Sequence, residues 1–140
     1  MPSLPPSGTA VRLLLADDDR LFAESLMAVL SEDDRIDVVG IAANGQEAVE
    51  LAAALEPDVI LMDLKMPVLD GLEATRRIRA TDRLVQIMLL TGTATEIAEE
   101  DVVDAGATAF LRKERSVQEL RQVFVEVASL AAALGAPAAR

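Results

Sequence analysis

The stretch from Pro57 to Gly71, PDVILMDLKMPVLDG, limits the folds open to this chain more than any other. Pro57 disfavours helix in the residue before it and so ends the helical pattern that precedes it. The run Val59-Ile60-Leu61-Met62 is too short for a helix and apolar on both faces, as a buried parallel strand is. It ends on a carboxylate, Asp63. A loop containing Pro67 follows, and Asp70-Gly71 opens the next helical pattern. In open α/β sheets ligands bind beyond the carboxyl ends of the strands, so an Asp delivered there by the strand register is a candidate site residue.

The rest of the chain repeats the pattern. Val11–Ala16 reads as a first strand ending in Asp17-Asp18-Asp19, with Asp19 as N-cap of a helix from Arg20 to Ser31. Ile36–Ile41 reads as a second strand. Asn44-Gly45-Gln46-Glu47 has capping-box spacing and opens a helix that runs to Pro57. A third helix is expected from about Asp70 to Arg79, with its basic residues late, where the helix dipole favours them. Gln86–Leu90 is the fourth strand, ending on Thr91. A weak helix is expected over Thr95–Asp104 and a fifth strand over Thr108–Leu111, followed by Arg112-Lys113. Ser116–Glu119 is a second capping box. It opens a last helix with an apolar stripe through Leu120, Val123, Phe124, Val127, Leu130 and Leu134.

Strands and helices alternate five times, the signature of a parallel sheet covered by helices on both faces. The expected fold is a single three-layer α/β/α domain, doubly wound around five parallel strands, in one of the few orders that right-handed crossovers allow. Residues 1–10 read as a flexible lead-in, 11–134 as the domain and 135–140 as a tail.

Composition removes whole classes of chemistry. The 140 residues are 51% hydrophobic and 26% charged, which excludes a disordered chain. No apolar run reaches membrane-spanning length and the start is not a secretory signal, so a cytoplasmic protein without a membrane partner is expected. With no Cys and no His, thiolate chemistry, the Ser-His-Asp triad and imidazole metal ligands are all absent. A net charge of −11 argues against direct nucleic-acid binding. Arg76-Arg77-Arg79, on a helix that also carries Glu73, reads as a solvated face.

In the flavodoxin-like order 2-1-3-4-5, strands one and three are neighbours at the switch point. Asp17, Asp18 and Asp63 then converge, with the Thr91 hydroxyl and the Lys113 ammonium beyond them. Close carboxylates repel, and a hard divalent cation relieves them; Mg²⁺ takes such ligands together with phosphate oxygens. The implied chemistry is attack by a carboxylate on phosphorus.

The motifs LLLADDDRLF, PDVILMDLKMPVLDG, IMLLTGTAT and GATAFLRKE together resemble the receiver domains of two-component response regulators, over about Val11 to Leu134. The style is that of receivers often fused to helix-turn-helix output domains. The resemblance implies that Asp63 is the phosphoacceptor, forming an acyl phosphate. Asp18, Asp63 and the backbone carbonyl of Lys65 would ligate Mg²⁺, or Mn²⁺ as an alternative, with Asp17 acting through water. Thr91 and Lys113 would bind the phosphoryl group, and Phe110 would be the aromatic switch residue that moves with Thr91; plain core packing is the alternative for Phe110. The implied partner is a sensor histidine kinase or phosphotransfer protein, with an output domain, a partner protein or a homodimer as readout. Helix four is expected to be the mobile element. The resemblance also implies no enzyme activity beyond self-phosphorylation and self-dephosphorylation.

Three departures from the family pattern stand out. Glu114 follows Lys113 where many members have Pro. Lys65 and Thr93 occupy variable positions tied to acyl-phosphate lifetime, and Lys65 is expected to overhang the site and slow attack by water. No output domain follows, so the chain reads as a stand-alone receiver or a fragment of a longer regulator. Competing readings are a Mg²⁺-dependent aspartyl phosphatase, which would place Asp where Lys65 stands; a flavodoxin, which the acidic first loop and the lack of Trp and Tyr oppose; and a receiver-like interaction module working without phosphorylation.

Overall fold

The computed structural model describes residues 10–91 and 99–112, with residues 118, 121, 122 and 125; Thr91, Glu99 and Arg112 are described through their backbone alone. Among the described residues five strands alternate with four helices: β1 (Val11–Ala16), α1 (Arg20–Leu30), β2 (Ile36–Ala42), α2 (Gly45–Leu55), β3 (Val59–Asp63), α3 (Gly71–Thr81), β4 (Gln86–Thr91), α4 (Glu99–Ala105) and β5 (Ala109–Arg112). The backbone is helical at Gln118, Arg121, Gln122 and Val125. The first turns expected for the fourth helix, Thr95 onwards, and the capping box at Ser116 lie outside the described residues.

All pairings are parallel and the order is β2-β1-β3-β4-β5, as expected. All five residues of β3 are buried, because helices cover both faces of the sheet. Side-chain alternation splits the core in two. Leu14, Ile60, Met62, Ile87 and Leu89 face Ala48 and Ala52 of α2, Ala74 and Ile78 of α3 and Val102 of α4. Leu13, Leu15, Leu61, Met88 and Leu90 face Leu26 and Leu30 of α1, with Val125 packed alongside. Each fully buried Leu, Ile or Met contributes about 1.5–3 kcal/mol of transfer free energy, so the two clusters fix the sheet between its helix layers.

The helix starts are set by side-chain caps. Asp19, Asn44 and Asp70 accept from the backbone N–H of Phe22, Glu47 and Glu73. Glu47 closes its capping box one residue further out than the motif requires: its carboxylate accepts from the N–H of Ala43 at 2.8 Å. Because the strands are parallel, all three starts lie at the carboxyl edge of the sheet. At its other end α2 stops on Glu56 in the left-handed region (φ 48°), and the Arg12 guanidinium donates to the exposed Glu56 carbonyl at 2.9 Å.

Candidate functional site

Register brings the acids together. Ala16 of β1 pairs with Met62 of β3, so the next residues, Asp17 and Asp63, leave adjacent strands side by side. One carboxylate oxygen from each of Asp17, Asp18 and Asp63 lies within 4.8 Å of the others. Asp17 and Asp63 are buried, each 5% exposed, while Asp18 opens to solvent. Asp17 is held in place from both sides: its N–H donates to the Ala42 carbonyl at 3.0 Å, and its Oδ1 accepts from Asp19 N–H at 2.8 Å. Two like charges this close repel by about 1 kcal/mol even at the dielectric of water, and by more where they are partly buried.

The loop after β3 completes the rim. Leu64 N–H extends the ladder to the Leu90 carbonyl at 2.7 Å, and Gly71 N–H returns to the Leu64 carbonyl at 2.8 Å. A Cβ on Gly71 would stand 2.2 Å from the Asp63 carbonyl oxygen, so only glycine lets α3 start this close to the strand end. Gly45 does the same for α2, where a Cβ would stand 2.0 Å from the Leu69 carbonyl oxygen. Between these contacts the loop turns on Val68 (φ 70°), with Leu69 N–H donating to the Pro67 carbonyl at 2.7 Å in a γ-turn. A β-branched residue with positive φ is strained, and such strain is held only where the surroundings over-determine the backbone. Lys65 is exposed in this loop. With Asp18, Met66, Pro67 and Asp70 it lines an open depression of about 380 Å³.

The donor set consists of hard carboxylate oxygens, two of them on buried residues, converging on one point. That chemistry fits Mg²⁺. A larger groove of about 470 Å³ between α2 and α3, beside Glu56 and Asp82, lies at the opposite edge of the sheet and gathers no such cluster. Volume therefore does not mark this site; converging charge does.

The other expected site residues fare differently. Thr91 closes β4, paired with Arg112 of β5, and follows Leu90, the partner of Asp63. Its backbone thus stands one residue beyond the acid's neighbour. Lys113 lies outside the described residues, as do Thr93 and Glu114. Phe110 of β5 pairs with Leu89 of β4 and is half-buried against the cluster that holds Leu89 and Val102.

Sequence reasoning misplaced one arginine. Arg76 and Arg77 do lie on a solvated face, bridging Glu73 at 3.3 and 3.2 Å and holding its carboxyl below the usual carboxylate range. Arg79 does not. It is half-buried, burial pushes its pKa down, and its guanidinium donates to the carbonyls of Gly106, Asp82 and Val85. Three residues after Arg76 on the same helix, it carries no sequence signal that it turns inward.

Residues 13–125 match the response regulator receiver domain family. The chain is 37% identical over 142 residues to a protein-glutamate methylesterase/protein-glutamine glutaminase of Vibrio parahaemolyticus serotype O3:K6, covering 94% of this chain and 38% of that relative. Among solved structures, the signal receiver domain of NarL from Mycobacterium tuberculosis superposes with a TM-score of 0.78 at 30% identity, covering 86% of this chain and 97% of that one. The response regulator domain of Thermotoga maritima CheB gives 0.77 at 29% identity, covering 87% and 96%. These relatives correct one expectation. The chain was expected to stand apart from enzymes, yet its curated relatives carry an enzyme's name. The residues could not reveal this, because the chain spans 38% of that relative's length and its composition speaks only for that share.

Proposed function

This chain belongs to the response regulator receiver domain family, and from that premise we propose that it is a phosphorylation-dependent switch whose acceptor is Asp63. The observation that carries the proposal is the convergence of Asp17, Asp18 and Asp63 within 4.8 Å at the ends of β1 and β3. The donor is a phosphohistidine on a sensor kinase or phosphotransfer protein; the chain has no His and cannot supply one itself. An Asp63 oxygen forms a bond to phosphorus as the phosphorus–nitrogen bond breaks, and the imidazole leaves with the electron pair.

Asp18, Asp63 and the Lys65 carbonyl would hold Mg²⁺, with Asp17 acting through water. When bound, the ion supplies positive charge against the phosphoryl oxygens. Ladder bonds fix the backbone at Asp17 and Asp63, and Asp19 N–H holds the Asp17 carboxylate, before the donor arrives, so less reorganisation is needed at the moment of transfer. Thr91 donates a hydrogen bond to the phosphoryl group, Lys113 balances its charge, and Phe110 repacks as Thr91 moves. Lys65 overhangs the product and slows water's attack; an unchanged dephosphorylation rate in Lys65→Ala would remove that role. The regulated output, by the name its relatives carry, is a hydrolase of glutamate esters and glutamine amides, in the same polypeptide or as a partner protein.

The test is intact mass after incubation with acetyl phosphate. Wild type should gain one phosphoryl group with Mg²⁺ and none with EDTA. No gain by folded, Mg²⁺-bound protein would favour an interaction module that works without phosphorylation.

A further inference from the structure

The C-terminal end of α4 is tied into the fold, and Arg79 makes the tie. From the last turn of α3 its Nε and Nη2 donate to the Gly106 carbonyl at 3.0 and 2.8 Å, while Nη1 donates to the Val85 carbonyl at 2.6 Å and the Asp82 carbonyl at 3.2 Å. One guanidinium thus joins α3, the segment entering β4 and the residue that ends α4. Gly106 adopts φ 96°, its N–H donates to the Val103 carbonyl and the Ala107 N–H to the Val102 carbonyl, so the terminal carbonyls of α4 are satisfied in place. A Cβ at Gly106 would stand 2.8 Å from Arg79 Cγ, so the arginine stem fills the space that only glycine leaves. Two residues on, Thr108 N–H donates to the Ile87 carbonyl at 2.7 Å and its Oγ1 accepts from Ile87 N–H at 3.2 Å.

The same helix α3 begins with Gly71 against the Asp63 carbonyl. It therefore runs from the acceptor's backbone at one end to the base of α4 at the other. We propose that Arg79 makes the C-terminal end of α4 a fixed pivot, so that residues 106–108 stay where they are when a rearrangement starts at Asp63. This rests on the reading of Asp63 as phosphoacceptor. Arg79 acts as a positioning residue, through the Gly106 carbonyl.

Amide hydrogen exchange, residue by residue, tests the pivot in wild type and in Arg79→Met, which keeps the stem and loses the donors. In the unphosphorylated variant, exchange at Gly106 and Ala107 should rise about tenfold or more as the local opening becomes easier. In wild type, acetyl phosphate with Mg²⁺ should alter exchange over 99–103 and leave 106–108 unchanged. In the variant the change should spread to 106–108, while the phosphoryl gain by mass stays the same. Equal changes at both ends of α4 in phosphorylated wild type overturn the pivot, and so does an Arg79→Met protein with unaltered exchange at 106 and 107. Wild type that gains no phosphoryl group overturns the reading of Asp63 and takes the pivot's role with it, a result distinguishable by mass alone. Arg79→Lys, which keeps the charge and stem but loses the fork, serves where the methionine variant does not fold and should show a smaller rise of the same sign. The wild-type comparison needs no variant.

Discussion

The two edges of the sheet carry the same residue types and use them oppositely. At the amino edge one acid in each of three turns is bonded to backbone or guanidinium donors. Asp58 accepts from Arg12 N–H at 3.0 Å; Asp82 accepts from the N–H groups of Leu84 and Val85; Asp33 accepts from Arg35 through both backbone and guanidinium. Arginines on this side, Arg12 and Arg79, go to helix-end carbonyls. At the carboxyl edge three acids are gathered on one point, where they repel, and Asp17 is held there by Asp19 N–H. Acids at the first edge shape turns. Acids at the second are set against one another, an arrangement that a divalent cation would relieve.

The sharpest way to break this contrast is at the glycine that lets the site close. Gly71→Ala puts a methyl group against the Asp63 carbonyl, backbone against backbone, and should cost about 3 kcal/mol in urea unfolding together with most of the phosphoryl uptake. A variant with normal stability and uptake would show that the close approach is not required. At the other edge Asp58→Ala should cost about 2 kcal/mol, since Arg12 N–H loses its acceptor in a buried turn, and phosphorylation by acetyl phosphate should be retained. Asp18→Asn should do the reverse. Metal-free stability should rise by about 0.5–1 kcal/mol, an increment that shrinks with added salt, while Mg²⁺ binding by calorimetry weakens at least about tenfold. Destabilisation of the metal-free protein by Asp18→Asn would mean that the cluster is a structural feature and not a strained site.

The smallest effect is a pH dependence at the amino edge. Arg35 bonding holds the Asp33 pKa at about 2, below its ordinary 3.8. A carboxyl whose folded pKa is depressed stabilises the fold above the unfolded value and loses that contribution as pH falls through the folded one. Wild type should therefore lose a small increment between about pH 4 and pH 2 that Arg35→Gln lacks; superimposable denaturation midpoints across that window would remove the pair from the account.

Much of this was legible in the sequence because it depends on local rules. Short apolar runs ending on acids, and Asp19, Asn44 and Asp70 in cap positions, specify the alternation of elements, and parallel alternation specifies where the strand ends point. Asp17, Asp18 and Asp63 could be brought together before any coordinates, since a strand order and a register are enough to do it. What was not legible depends on three-dimensional fit. Gly71 reads as a helix start, and nothing in Asp70-Gly71 says that the Asp63 carbonyl lies against it. Val68 reads as an ordinary loop residue, although it carries the positive φ of the γ-turn. Arg79 shares a run with two solvated arginines, and only the packing of α3 against β4 and α4 separates it from them.

The central claim is that Asp63, and no other acid in the cluster, takes the phosphoryl group. The direct test is borohydride reduction of the protein treated with acetyl phosphate and Mg²⁺, which converts an aspartyl phosphate to homoserine, followed by peptide sequencing. Homoserine at position 63 alone, abolished by Asp63→Asn and by EDTA, is the predicted result. Homoserine at Asp17 or Asp18, or none in folded protein with Mg²⁺ present, would contradict the account.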